Sequence, residues 1–299
     1  MTGTRCGFVA LVGAPNAGKS TLLNALVGAK LSIVTHKVQT TRARLRGIAV
    51  EGDSQIVFVD TPGIFKPKRR LERAMVDAAW GGARDADVVV LLYDAHRKRL
   101  DEDTRLILDG LRDSGRKADL VLNKIDLIKR ERLLALAAEF EAEGLFESIF
   151  MVSALSGDGV ADLRGSLAGR LPEGPWLYPE DQLSDLPMRL LAAETTREKL
   201  FLKLHDELPY ALTVETEQWE DFEDGSVRIS QTVYVQRDSQ KGIVLGKGGR
   251  AIKAVRAEAQ ADLEAALERR VHLFLFVKVR ENWVDDPERY QTWGLDFSA

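Results

Sequence analysis

Through the first 171 residues, apolar positions come in short unbroken runs, separated by longer stretches where they return at helical spacing. The runs are "FVALV" (8–12), "IVFVD" (56–60), "DVVVLLYD" (87–94), "DLVLN" (119–123) and "IFMVS" (149–153). A strand with one wet face alternates apolar and polar residues, so unbroken runs predict strands covered on both faces, hence a mostly parallel sheet between helices. Residues 1–171 are therefore expected to form an α/β domain. The pattern stops at "LPEGPWLYPEDQLSDLP" (171–187), which holds four of the nine prolines among acids and aromatics. Fixed φ angles and missing N–H groups make 172–187 read as a linker.

From residue 188 to 299 the grammar changes. A helical pattern near Met188 to Leu208 precedes two strand candidates, "ALTVETEQWE" (211–220) and "VRISQTVYVQ" (227–236), with the turn-forming "DFEDGS" between them. A short helix near Ser239 to Leu245, a glycine loop, an amphipathic helix from Arg250 to about Glu268 and the strand "VHLFLFVKV" (271–279) follow. The predicted order is α-β-β-α-α-β, an α+β domain.

Bulk composition changes this picture little. A chain of 299 residues, 45% hydrophobic and 29% charged, has room for two cores. The single cysteine, Cys6, excludes an internal disulfide and a cysteine-based zinc site. The start of the chain lacks the charged head, apolar core and cleavage site of a signal peptide, so a cytoplasmic location is expected. No apolar run approaches the roughly 20 residues of a membrane span. The histidines, His36, His96, His205 and His272, are scattered without metal spacing, and "RKR" (97–99) reads as a loop after a strand. A net charge of -4 argues against a surface coated with cations for polyanions, but from Arg237 to Arg256 six Lys or Arg face one acid, Asp238.

Candidate chemistry begins at "GAPNAGKS", Gly13, Ala14, Pro15, Asn16, Ala17, Gly18, Lys19 and Ser20, a full G-x-x-x-x-G-K-[ST] between a strand candidate and the helical "STLLNALVG" that starts with Ser20 and Thr21. Small residues let backbone N–H groups approach phosphates, Lys19 supplies a cation to the β- and γ-oxygens, and the Ser20 hydroxyl can ligate Mg²⁺. "DTPG", Asp60, Thr61, Pro62 and Gly63, ends a buried strand, which places Asp60 to hold Mg²⁺ through water and lets the Gly63 N–H approach a γ-phosphate. "NKID" supplies Asn123, Lys124 and Asp126. The Asp126 carboxylate can accept from both N1–H and the 2-amine of guanine, whereas adenine offers an acceptor at N1 and no amine, so GTP and GDP are the expected nucleotides. Asn123 would tie this loop to the base edge or the phosphate loop, and Lys124 would lie over the ring. "SAL", Ser153, Ala154 and Leu155, can offer the base O6 the backbone N–H of Ala154.

The second glycine loop, "GKGG" (246–249), lacks the phosphate-loop spacing, and no strand feeds it. Two readings stay open for it: a glycine helix cap, or a clamp for a sugar-phosphate backbone. In the second reading Gly246, Gly248 and Gly249 let the polymer approach, and Lys247 and Arg250 neutralise phosphates at a helix N-terminus. Lys241, Gly242, Ile243 and Lys253 would flank the clamp, with Arg256 extending the basic track; a solvated helix face is the alternative for those cations. Ile243, Val244 and Ile252 can line a groove for bases or belong to the core.

These motifs together resemble the Era family of bacterial GTPases: "GAPNAGKS", "QTTR" (39–42), "DTPG", "NKID" and "GKGG" occur in that order, and "TREKLF" (196–201) is similar to the opening of that family's second domain. The resemblance implies a P-loop GTPase domain followed by a type II KH domain, a module that clamps about four unpaired nucleotides. It implies a switch threonine on Mg²⁺, Thr41 or its neighbour Thr40. Further implications are binding to the single-stranded 3′ region of small-subunit ribosomal RNA, assistance to assembly of the small ribosomal subunit, and peripheral contact with the cell membrane. A monomer is expected. Ile64 follows DTPG where Ras-like enzymes carry the glutamine that orients water, so hydrolysis should be slow. In related GTPases with a hydrophobic residue there, an asparagine matched by Asn16 helps bind a potassium ion in place of an arginine finger; a turn asparagine is the other reading. The rival function is a signalling switch whose second domain binds protein or a membrane surface without RNA.

Overall fold

The computed structural model describes residues 3–35, 45–205 and 208–298. Thr40 and Thr41, and with them the expected switch ligand of Mg²⁺, lie outside the described residues. The described residues form two compact units, one from those within Met1–Ser32, Thr41–Asp185 and Tyr290–Ala299, the other from those within Ile33–Thr40 and Leu186–Arg289.

In chain order the first unit contains β1 (Arg5–Gly13), α1 (Lys19–Val27), β2 (Leu45–Glu51), β3 (Ser54–Asp60), α2 (Arg70–Asp85), β4 (Val88–Asp94), α3 (Glu102–Ser114), β5 (Ala118–Asn123), α4 (Arg130–Glu141), β6 (Phe146–Val152) and α5 (Val160–Arg170). The sheet order is β2-β3-β1-β4-β5-β6, parallel except where β2 runs antiparallel to β3. Every residue of β3 and β5 is buried, as strands covered on both faces must be. β2 is an element that the hydrophobic pattern does not announce. Its run "LRGIAVE" is broken by Arg46 and Gly47, yet a Cβ at Gly47 would come within 2.8 Å of Leu23 and Val27 side chains, so the glycine is what lets α1 lie against the strand.

The proline-rich segment does not behave as a linker. Leu183 accepts the Ile48 N–H at 2.8 Å, and Gln55 donates to the Tyr178 carbonyl at 2.8 Å while accepting from Leu177 and Tyr178 amides. An extended segment rich in proline suits this place, because it covers the exposed edge at β2 without needing a full ladder of donors. The C-terminal residues also depart from the expected division. Arg70 lies over the Phe297 ring at 4.7 Å, within the first unit, so the second unit ends ten residues before the expected 299.

The second unit contains α6 (Met188–Lys203), β7 (Leu212–Asp221), β8 (Val227–Val235), α7 (Asp238–Leu245), α8 (Arg250–Leu267) and β9 (Val271–Val279). β8 is central, antiparallel to β7 and parallel to β9. Leu200 and Ala193 of α6 and Val255 of α8 meet Val214, Val233 and Val277 of the sheet. Thr196, Arg197 and Glu198 of "TREKLF" are buried, with Thr196 donating to the Gln231 side chain at 2.6 Å and Arg197 paired with Glu194. The α-β-β-α-α-β order is that of the sequence pattern.

Candidate nucleotide site and nucleic-acid interface

Three strand ends assemble the nucleotide site. β1 runs into the phosphate loop, β3 delivers Asp60, and β5 delivers Asn123. Gly13 is required where it stands, since a Cβ there would meet the Leu92 carbonyl at 2.6 Å. Gly18 takes φ 101° as the cap of α1, and a Cβ would be 2.2 Å from Asn123 Nδ2. Asn16 sits in the left-handed region at φ 63°, a conformation asparagine tolerates better than most residues, with its side chain exposed.

Lys19 is buried and donates to the carbonyls of Gly13 at 2.9 Å and Ala14 at 3.0 Å. Desolvation pushes its ammonium down to about 8, opposed by the nearby Asp60 carboxylate and assisted by Arg97. Asp60 is fully buried and accepts from Ser20 Oγ at 3.1 Å and Ser32 Oγ at 2.9 Å. Ser32 is a residue sequence reading missed. Its loop is fastened by Asn24, whose side chain accepts from the Leu31 and Ser32 amides and donates to the Ser32 carbonyl. A carboxylate and hydroxyls around one point form the hard oxygen set that Mg²⁺ takes along with phosphate oxygens and water. Ser20 and Asp60 fit that ion, which when bound would neutralise developing phosphate charge.

Asn123 joins the phosphate loop rather than the base edge. It donates to the Ala17 carbonyl at 2.9 Å and accepts the Ala154 N–H at 3.0 Å. The Ala154 amide expected at the base O6 is therefore engaged by Asn123. Ser153 shapes the same loop, accepting the Ser156 N–H on its hydroxyl at 3.2 Å, and Leu155 is exposed. Lys124 donates to the Asn16 carbonyl at 2.9 Å and pairs with Asp94 at 2.7 Å; Asp126 is exposed beside it. Thr61 and Pro62, expected to touch nucleotide, are buried. The Thr61 hydroxyl donates to the Leu11 carbonyl at 2.7 Å and so ties β3 to β1. Gly63 lies against Pro15, where a Cβ would make 3.2 Å contacts, and Ile64 is wholly buried in the core while its N–H bonds the Gly13 carbonyl. Thr21 is half-buried in α1.

In the second unit α7 ends at Gly246, φ 71°, whose Cβ would strike Ala251 at 2.6 Å. Internal packing requires that glycine. Gly248 and Gly249 also have positive φ, but a Cβ at Gly248 would meet nothing within 4 Å. Gly242, inside α7, likewise faces open space. A mid-helix glycine costs about 1 kcal/mol, and among the described residues no neighbouring atom demands it; a ligand lying close to the backbone would. Lys247, Arg250, Lys253 and Ile243 are exposed, Ile243 at 59%, and Lys241 is half-buried. Arg250 Nε donates to the Lys247 carbonyl at 3.3 Å. Val244 is core, and Ile252 packs against the same core, so of the three apolar groove candidates only Ile243 is presented outward.

A phosphate loop backed by Asp60 and a guanine-selective Asn-Lys-x-Asp segment, joined to a helix-glycine loop-helix on a three-stranded sheet, defines a guanine-nucleotide-binding P-loop protein with a KH module. Family models agree: residues 8–124 match the "50S ribosome-binding GTPase" model and 207–284 the KH domain. The chain is 65% identical over 294 residues to the GTPase Era of Sinorhizobium medicae, covering 98% of this chain and 94% of that protein. Two solved Era structures each share 36% identity and a TM-score of 0.91, covering 97% of this chain and 99% of theirs. One holds MgGDPNP and nucleotides 1506–1542 of 16S ribosomal RNA; the other is a tyrosine-to-alanine variant of Aquifex aeolicus Era bound to GDP·AlF4⁻. This chain belongs to the Era GTPase family.

Proposed function

We propose that this protein hydrolyses GTP as a slow switch, grips single-stranded small-subunit ribosomal RNA near its 3′ end through the KH module, and assists assembly of the small ribosomal subunit. The observation that carries this reading is similarity along nearly the whole chain to a structure that holds a Mg²⁺–GTP analogue and 16S RNA together. The outward-facing Gly242 and Gly248 supply the local chemistry for the RNA. Crosslinking in cells followed by sequencing of attached RNA tests it. Reads concentrated at the 3′ end of the small-subunit RNA are expected, and reads spread over unrelated transcripts would overturn the proposal.

The reading extends to potassium. With Ile64 buried and no glutamine beside it, positioning and charge compensation at the γ-phosphate must come from elsewhere, and the exposed Asn16 side chain of the phosphate loop is the support for a cation there. Exchanging sodium for potassium at fixed ionic strength is expected to raise turnover by about tenfold or more. Because Asn16 occupies φ 63°, alanine there adds backbone strain; Asn16→Gly removes the side chain and keeps the turn. Turnover of Asn16→Gly should no longer respond to potassium while GDP affinity is retained. A wild-type rate indifferent to the cation would leave Asn16 a turn residue.

Peripheral membrane contact, supported by the family resemblance, completes the reading: the protein works in the cytoplasm and touches the membrane only at its surface. Among the described residues no helix is long and apolar enough to cross a membrane. Flotation with vesicles of anionic phospholipid tests it, and protein left at the bottom of the gradient would remove membrane contact from the reading.

A further inference from the structure

Five consecutive carbonyls of the phosphate loop, from Gly13 to Ala17, each accept a hydrogen bond from a side chain. Lys19 serves Gly13 and Ala14, Lys124 serves Asn16, and Asn123 serves Ala17. The donor to the remaining one, Pro15, comes from the "RKR" segment (97–99) after β4. Arg97 Nη2 donates to the Pro15 carbonyl at 2.7 Å, across 82 residues of sequence.

The reach of that bond follows from peptide geometry. In a trans planar peptide the carbonyl and the next residue's N–H point in opposite directions, so a donor that fixes the Pro15 carbonyl also aims the Asn16 N–H. Phosphate loops bind anions through such N–H groups. Arg97 is itself held on several sides. Its Nη1 pairs with Asp101, the N-cap of α3, which also accepts from the Thr104 N–H and hydroxyl at 2.9 Å each. Arg132 donates to the Arg97 carbonyl. The planar guanidinium fork allows one side chain to hold a carboxylate with one nitrogen and a carbonyl with another, which the single nitrogen of lysine does less well.

We propose that Arg97 is a positioning residue of the phosphate site, acting through the Pro15 carbonyl to aim the Asn16 amide and hold the left-handed turn at Asn16 in the form that a nucleotide diphosphate meets. Lys98 and Arg99 of the same "RKR" have no such link to the loop among the described residues. Arg97 also brings a fixed positive charge beside a site for anions, but the bond to Pro15, and not the charge alone, carries the assignment.

The test compares wild type, Arg97→Ala, Arg97→Lys and Asp101→Asn as full-length proteins. GDP affinity of Arg97→Ala is expected to fall by about tenfold, the scale of one charged hydrogen bond. The ³¹P resonance of the β-phosphate of bound GDP should shift, which loss of α3 stability alone would not cause. The preference for GDP over inosine diphosphate, which lacks the 2-amine that Asp126 reads, should stay unchanged. Arg97→Lys should recover only part of the affinity, and Asp101→Asn, which keeps an N-cap but frees the guanidinium, should shift the β-phosphate signal in the same direction. Wild-type GDP affinity and an unmoved β-phosphate signal in Arg97→Ala would overturn the proposal, as would full rescue by lysine or a lost base preference. Should Arg97→Ala not fold, unaltered nucleotide binding in both Arg97→Lys and Asp101→Asn would overturn it equally.

Discussion

Lys19→Ala is expected to lower GDP affinity about a hundredfold, because the charged donor to the phosphates disappears and two loop carbonyls lose their brace at the same time. The wild-type residue should also leave a signature in pH. Burial pushes the Lys19 ammonium from 10.5 to about 8, the Asp60 carboxylate opposing this and Arg97 adding to it. Below about pH 8 the group is charged in both folded and unfolded chains. Between about 8 and 10.5 the folded protein binds fewer protons than the unfolded one, so this residue's burial cost is relieved and its contribution to stability rises with pH. Anionic phosphate oxygens reverse the shift by favouring the ammonium. GDP binding should therefore take up a proton in the window that opens at about pH 8, and across that window affinity should fall by up to about tenfold per pH unit. Calorimetry with GDP in the absence of Mg²⁺, in two buffers of different ionisation enthalpy, measures the uptake. Lys19→Ala should show none in this window, and zero uptake in wild type would contradict the assigned role of the buried ammonium.

Much of this site was legible from sequence because each of its motifs follows a strand, three of them buried and the last, β6, a half-buried edge strand. Unbroken apolar runs located β1, β3, β4, β5 and β6, and the motifs sit at the ends of four of them, β1, β3, β5 and β6. The hidden parts fail to show for identifiable reasons. β2 is an edge strand whose glycine admits α1, and a glycine inside a short run erases the pattern that announces strands. Prolines in 172–187 signal an absent ladder, which fits a free linker and a segment laid along a sheet edge equally well; only hydrogen bonds such as Ile48 to Leu183 separate the two. Ser32, Asn24 and Arg97 reach the site across 28, 8 and 82 residues from their partners, and such contacts have no local signature. The Ala154 amide donates to the Asn123 side chain across 31 residues, another contact with no local signature.

The two glycine loops should fail separately. Replacing Lys247 and Gly248 together by aspartate places carboxylates where the backbone of a bound RNA would run, removing one phosphate contact and adding repulsion and bulk. The fold has room for the change: a Cβ at Gly248 meets nothing within 4 Å, and aspartate is among the residues that accept a φ near 61°. Gly246→Ala would be the wrong test, because a Cβ there strikes Ala251 and any loss of binding would reflect damage to the α7–α8 turn. The double variant is expected to bind a short unpaired RNA at least about tenfold more weakly, and the slope of log affinity against log salt should become shallower by about 0.7 for the lost single-strand phosphate contact. Its GDP affinity should match wild type, since the described residues of the nucleotide site all lie in the first unit. Lys19→Ala should do the reverse, with RNA held in the absence of nucleotide and GDP released. Filter binding at several salt concentrations decides between a clamp and a turn. If the double variant holds RNA with wild-type affinity and slope, the open glycines of this loop serve only to join two helices, and the RNA must be gripped elsewhere on the protein.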